Sequence, residues 1–210
     1  MKFVPLPRSF YLPSAEVVGP RLLGHWLVRR TPKGLMGGRI VETEAYLIGD
    51  PACHGCVGET ARNRVMYGPP GFAYVYLIYG NYFCFNTVCM AKGKAEAVLV
   101  RAVEAEIGED LMRVNRPTER AEQLTNGPGK LCDAMEITRG LDGADLCSTE
   151  SAVFVARNDE LQEYVAERGP IVTTTRIGLT KAAELPLRFY LEKSSFVSKK
   201  LSTSRAKRKI

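Results

Sequence analysis

The densest apolar pattern in the chain runs from residue 74 to residue 86, where aromatic and β-branched side chains flank Gly80-Asn81 on both sides. A Gly-Asn pair between two such runs predicts a β-hairpin with Tyr79 and Tyr82 beside its tip. Large rings at a tip need a reason. Either another part of the chain covers them, or a ring serves as a wedge that enters a stacked partner such as duplex DNA. Residues 26–30 read as a strand, 31–38 as its turn, and 39–46 as a second strand. Alternation along 39–46 places Ile40, Glu42, Glu44 and Tyr46 on one face and Val41, Thr43 and Ala45 on the other. Carboxylates on a strand face ordinarily point to solvent. Held in a cleft wall, one of them becomes a general base, and spacing alone does not say which.

Elsewhere the periodicity is weaker. A helix is predicted over 15–23, capped by Ser14, interrupted at Gly19-Pro20 and closed by Gly24. Residues 47–71 form a long connection holding His54 and the basic trio Arg62-Asn63-Arg64, and such loops are usually functional or disordered. The strand predicted at 96–103 is apolar on both faces except for Arg101. That charge is costly there unless it meets a carboxylate or a phosphate. Helices over 104–115 and 118–124, a helix at 131–137 and strands at 152–156, 173–179 and 187–191 complete the reading. Ahead of the 131–137 helix, Gly127-Pro128-Gly129-Lys130 offers free backbone N–H groups to one phosphate, or is a plain turn with proline at the first helical position. Strands and helices without βαβ alternation predict an α+β fold. The expected architecture is one domain over 1–198, a curved, largely antiparallel sheet with surrounding helices and a protruding hairpin.

Charge changes this picture less than its size suggests. The net charge is +6, but Lys199, Lys200, Arg205, Lys207, Arg208 and Lys209 account for all of it. Residues 199–210 therefore read as a flexible basic tail on a balanced body, able to add salt-sensitive phosphate attraction or simply to be solvated. With 45% apolar and 25% charged residues, a proline-broken N-terminus and no long apolar run, a cytoplasmic protein away from membranes is expected. The six cysteines contain one Cys-x-x-Cys, Cys53 to Cys56, without a second pair at metal-ligand spacing, so reduced thiols and no metal are expected. His25 and His54, lone histidines, fit structural roles on spacing alone.

Five segments together carry a resemblance. Residues 39–46 (Arg-Ile-Val-Glu-Thr-Glu-Ala-Tyr), Arg62-Asn63-Arg64-Val65-Met66, 74–80 (Tyr-Val-Tyr-Leu-Ile-Tyr-Gly), Phe83-Cys84-Phe85-Asn86 and Gly127-Pro128-Gly129-Lys130-Leu131-Cys132 resemble, in order and spacing, the alkyladenine (methylpurine, 3-methyladenine) DNA glycosylases. Pro186-Leu187-Arg188-Phe189-Tyr190 extends the similarity, which covers residues 22–197. The resemblance implies a cofactor-free, monomeric enzyme that flips a damaged purine out of double-stranded DNA and hydrolyses its N-glycosidic bond without strand cleavage. A nucleoid-associated location follows if the source is bacterial. Glu44 matches the water-activating residue and Arg101 its neighbour at the target phosphate. Tyr46, His54, Tyr76 and Asn86 match the base pocket, Tyr79 the intercalating ring, and Lys130 and Arg64 phosphate contacts. Asn81 stands where mammalian relatives can carry a bulky apolar residue.

Two competitors stay open at this level: a helix-hairpin-helix glycosylase built around Gly127-Pro128-Gly129, and a damage-binding module without chemistry. Hairpin geometry offers a check. A two-residue turn at Gly80-Asn81 would pair Tyr76 with Phe85 and set Tyr76 and Asn86 on opposite faces. One shared pocket requires a bulge or a three-residue turn, expected as Gly80-Asn81-Tyr82 with Tyr76 across from Asn86.

Overall fold

A computed structural model describes residues 3–201. The strands are β1 (Trp26–Thr31), β2 (Gly34–Tyr46), β3 (Ala73–Ile78), β4 (Tyr82–Cys89), β5 (Glu96–Ile107), β6 (Val153–Ala156), β7 (Ile171–Thr174) and β8 (Arg188–Leu191). They form one sheet in the order β3-β4-β5-β2-β1-β6, and every pairing is antiparallel. The long β2 organises it. One edge of β2 pairs with β5 along its length, whereas the other is shared between β1, on Gly34 to Arg39, and β8, on Glu42 to Glu44, with β7 beyond β8. The helices α1 (Ala15–Arg21), α2 (Glu109–Asn115), α3 (Glu122–Thr125), α4 (Pro128–Ala134) and α5 (Leu161–Glu167) surround this sheet. The expected α+β fold is thus the observed one, and it is not the mostly helical chain that a helix-hairpin-helix enzyme would need.

The main core packs Leu22 and Leu23 from the end of α1 and Leu131 and Cys132 of α4 against Val41, Phe85, Val98 and Val100. A smaller cluster, Cys53, Met66, Tyr74, Val88 and Ala97, lies under the 47–71 connection. The free edge of β3 is closed by side chains: Asp142 Oδ1 accepts from the Val75 N–H at 2.8 Å, and Arg139 Nη1 donates to the Val75 carbonyl at 2.6 Å. An edge strand closed in this way is a stiff base for whatever its turn carries.

Several boundaries move. The turn expected over 31–38 is only Pro32-Lys33, because glycine there serves close approach: a Cβ on Gly38 would lie 2.2 Å from the Glu104 carbonyl oxygen. β5 continues to Ile107, and Gly108, at φ 65°, turns it into α2, so the helix expected from 104 starts at 109. Ser14 makes no side-chain cap to α1. Instead Glu96 Oε2, from the sheet, accepts from the Ala15 N–H at 2.8 Å. The strand expected over 173–179 runs from 171 to 174, and α5 carried no clear periodicity. Among the described residues no helix is long and apolar enough to cross a membrane. Of the basic tail, residues 202–210 lie outside the described residues.

Candidate active site

The β3–β4 hairpin turns through three residues, Tyr79-Gly80-Asn81, with Ile78 paired to Tyr82. The turn is one residue earlier than expected, so Tyr76 faces Cys84 and Tyr74 faces Asn86. Parity is nevertheless the required one: Tyr74, Tyr76, Cys84 and Asn86 share a face. Tyr79 and Gly80 both have positive φ, 53° and 79°, and Tyr79 is 81% exposed. A β-region residue such as tyrosine held left-handed costs about 1 kcal/mol, and such outliers persist where a tip has work to do.

Of the two readings of the second functional strand, solvent-facing or cleft wall, the buried one holds. Glu42 and Glu44 are both fully buried. A bulge between Ile40 and Glu42 breaks the alternation, so Ile40 joins the main core instead of sharing the carboxylates' face. Arg101 compensates both charges, as its place in an apolar strand required: Nε meets Glu42 Oε1 at 3.0 Å and Nη1 meets Glu44 Oε1 at 3.2 Å. Burial works against the Arg101 charge, but Glu44 and Glu42 outweigh it and hold the guanidinium above the ordinary arginine range. Glu44 also accepts from the Ile177 N–H at 2.8 Å and from the Tyr46 hydroxyl at 2.9 Å. Burial, then the adjacent Glu44 charge, pushes Tyr46 upward, so its hydroxyl keeps its proton and donates.

These groups sit at one end of a cavity of about 540 Å³, within the range of small-molecule sites. Tyr46, His54, Tyr76, Arg101 and Ile177 line it. Tyr79 and Tyr82 stand at its mouth with Gly127 to Lys130. Glu44 reaches it through three lining groups, Tyr46, Arg101 and Ile177. A narrow extension is lined by Asn86, Tyr74 and Met66, and there Asn86 Nδ2 donates to the Tyr74 carbonyl at 3.0 Å.

His54 reaches the cavity because the long connection is folded by Asn63, the middle of the basic trio. Its Nδ2 donates to the carbonyls of His54 at 2.8 Å and Gly58 at 2.9 Å. Gly55 permits close seating, since a Cβ there would lie 2.6 Å from the Ala95 methyl. The His54 ring stands 4.5 Å from that of Tyr76, with Nδ1 2.9 Å from the Tyr74 hydroxyl. Burial and the nearby Arg62 lower its pKa, favouring neutral imidazole. Burial pushes Tyr74 up to about 12.

Glu44, Arg101, Tyr46, His54, Tyr76, Tyr79 and Lys130 are therefore brought together, with Asn86 in the extension. Lys130 Nζ donates to Asn126 Oδ1 at 2.8 Å at the rim, and α4 does begin with proline at its first turn. Arg64 is not among the lining residues. It is exposed, 3.4 Å from Glu59. Sequence reasoning missed Arg176, fully buried, which pairs with Asp50, donates to the Ala45 carbonyl at 2.9 Å and lies over the Tyr46 ring at 4.7 Å. Arg188 and Ser198, both bonded to Glu42, were missed too. For Arg188 the local signal was a charge between Leu187 and Phe189, whereas Arg176, after a run of three threonines, gave none.

A family model described as "Methylpurine-DNA glycosylase (MPG)" matches residues 9–195. A Methanoculleus marisnigri protein named "Putative 3-methyladenine DNA glycosylase" is 50% identical over 196 residues, 93% of this chain and 99% of its own. Proteins of the same name from Koribacter versatilis and Carboxydothermus hydrogenoformans are 43% and 46% identical. The first match covers 95% of each chain, the second 93% of this one and 99% of the relative.

Proposed function

Because the chain belongs to the methylpurine-DNA glycosylase family, we propose that its cavity receives a damaged purine turned out of duplex DNA and that Glu44 directs water at the sugar carbon bearing it. The protein is a monofunctional DNA-3-methyladenine glycosylase of base excision repair, and its substrate is damaged DNA. The finer reading adds 7-methylguanine, hypoxanthine and ethenoadenine to its substrates and has it working as a cytoplasmic monomer.

Turning a nucleotide out costs a few kcal/mol, least where damage has weakened pairing or stacking. Tyr79 fills the vacated space, and Lys130 at the rim, with Arg64 further out, meets backbone phosphates. Tyr46, His54 and Tyr76 supply aromatic walls for an electron-poor ring, and Asn86 crowds the exocyclic amine of an undamaged guanine. A 3-alkylated adenine is already cationic, so the electron pair of the breaking C–N bond leaves with a neutral base. The sugar gains oxocarbenium character, which the Glu44 carboxylate stabilises. Water then bonds to the sugar carbon and its proton passes to Glu44, leaving an abasic site. The lysine among the lining residues, Lys130, stands at the rim with its amine donating to Asn126 Oδ1 at 2.8 Å instead of facing Glu44, which fits hydrolysis without strand cleavage.

The observation that carries this reading is a fully buried carboxylate, held by Arg101, Tyr46 and Ile177, behind a cavity whose mouth bears an exposed tyrosine. A module that only bound damage would have no need to bury two carboxylates on an arginine. The test is Glu44→Gln, assayed for base release and for binding to alkylated duplex. Excision should fall by about a thousandfold or more with binding retained. Normal turnover would remove Glu44 from the role of base.

A further inference from the structure

Behind Glu44 lies a second carboxylate whose hydrogen bonds are all spent on the site's own frame. Glu42 Oε1 accepts from Arg101 Nε at 3.0 Å, Arg188 Nε at 2.7 Å and Ser198 Oγ at 2.9 Å, while Oε2 accepts from the Ser198 N–H at 2.7 Å. Ser198 Oγ also accepts from Arg101 Nη2 at 3.3 Å. Two corners of the Arg101 guanidinium are thus fixed by Glu42 and Ser198, and the third, Nη1, is turned onto Glu44. Ser198 is itself held in place. The carbonyl of Lys199 accepts from Arg188, and the Leu201 N–H donates to the Tyr190 hydroxyl at 3.2 Å, so the segment after β8 is folded back over the site.

Charge sharing matters as much as position. If Arg101 faced Glu44 alone, its whole charge would favour the ionised carboxylate and make Glu44 a poor acceptor of a proton. Glu42 takes part of that charge, and Arg188 balances it. Four buried ions, two of each sign, form a neutral cluster. Glu44 is faced by Arg101 from β5, by Tyr46 and Glu42 from its own strand, by Arg188 across the β2–β8 register and by Cys84 from β4.

We propose that Glu42 and Ser198 are positioning residues for water activation: they fix the plane of Arg101 and take up part of a charge that would otherwise fall on Glu44 alone. This rests on the reading of Glu44 as the base. It assigns a role in the reaction to a serine distant in sequence, on the segment that leads into the basic tail.

The experiment measures single-turnover release of 3-methyladenine from alkylated duplex DNA between about pH 5 and pH 9, where a cationic leaving base makes the acid limb report the base. Glu42→Gln should lower the plateau rate about tenfold and move the acid limb about one pH unit lower, with affinity for the duplex unchanged. Ser198→Ala should lower the rate about fivefold at unchanged affinity, and Ser198→Thr should restore it. An acid limb unmoved in Glu42→Gln, or wild-type rates in Ser198→Ala, would overturn the proposal. If thermal unfolding reports Glu42→Gln as unfolded, the serine pair decides alone. Glu44→Gln is run beside them. Excision by that variant sinks the base reading and this proposal together, whereas a silent Glu44→Gln with an unmoved Glu42→Gln limb sinks this proposal only.

Discussion

At one end of the cavity Glu42, Glu44, Arg101 and Arg188 are buried and bonded on every side, while at the other Tyr79 stands on a three-residue turn with 81% of its surface exposed. The buried end has little freedom. Each charge there is tolerable only because the others are within hydrogen-bond distance, and removing one leaves its partner in a low dielectric. The tip is bound by none of these constraints, and its left-handed tyrosine is held against its own backbone preference. Chemistry that must aim one water needs the first kind of region. Insertion into a partner of variable sequence needs the second, a ring delivered by a stiff ribbon and otherwise uncommitted.

The comparison predicts opposite costs for substitution. Arg101→Met should be the most damaging, because it takes away the ion-pair partner of buried Glu44 and one of the two arginines on buried Glu42. A loss of about 3–5 kcal/mol is expected, a large share of a typical domain's stability, measured as a lowered midpoint of urea denaturation at neutral pH. If Arg101→Met instead unfolded at the wild-type midpoint, the carboxylates would have to be compensated by Arg188 alone, and the buried end would be less constrained than its geometry implies.

Tyr79→Gly should do the reverse. The strain relieved, about 1 kcal/mol, roughly offsets the extra freedom glycine brings to the unfolded chain, so stability should stay within about 0.5 kcal/mol of wild type. Excision from fully paired duplex should nevertheless fall about tenfold or more, and fall less when the same lesion sits in an unpaired bubble, where no stacked space needs filling. Equal losses on both substrates would take Tyr79 out of the duplex and make it a contact to the backbone.

The same contrast explains what could be read from the sequence. The hairpin, its exposed tyrosine and the strand carrying Glu44 are local patterns, set by alternation and a turn signal within thirteen residues. Arg101 announced itself as a charge among apolar neighbours. What stayed hidden is what the sheet brings from far away: Arg188 and Ser198 reach Glu42 from 146 and 156 residues along the chain, and Arg176 reaches Asp50 from 126. The bulge that moved Ile40 to the core and the turn that began at Tyr79 are decided by pairing with β5 and β4, which strand periodicity does not contain. Burial of Glu42 and Glu44 follows from those distant partners, and that is why a solvent-facing strand looked the simpler expectation.

The finest test lies where the two regions meet, at Gly129. A methyl on this residue would come within 3.1–3.2 Å of Tyr82, the first residue of β4, so α4 and the hairpin touch at a site where only hydrogen fits without adjustment. Gly129 has no left-handed backbone to relieve, and alanine in a helix gains about 1 kcal/mol over glycine. Tyr82 is 41% exposed and can yield a few tenths of an ångström. Gly129→Ala should therefore leave stability within about 0.5 kcal/mol while pushing the tip away from Lys130. A displacement of that size would unfold nothing, but it shifts Tyr79 relative to Lys130, so, under the proposed roles of these two residues, excision from paired duplex should fall about threefold with base release from a bubble unchanged. Were Gly129→Ala to excise from both substrates at the wild-type rate, the tip would be compliant enough to find its own place on DNA. The stiffness argued from the closed edge of β3 would then end before the turn.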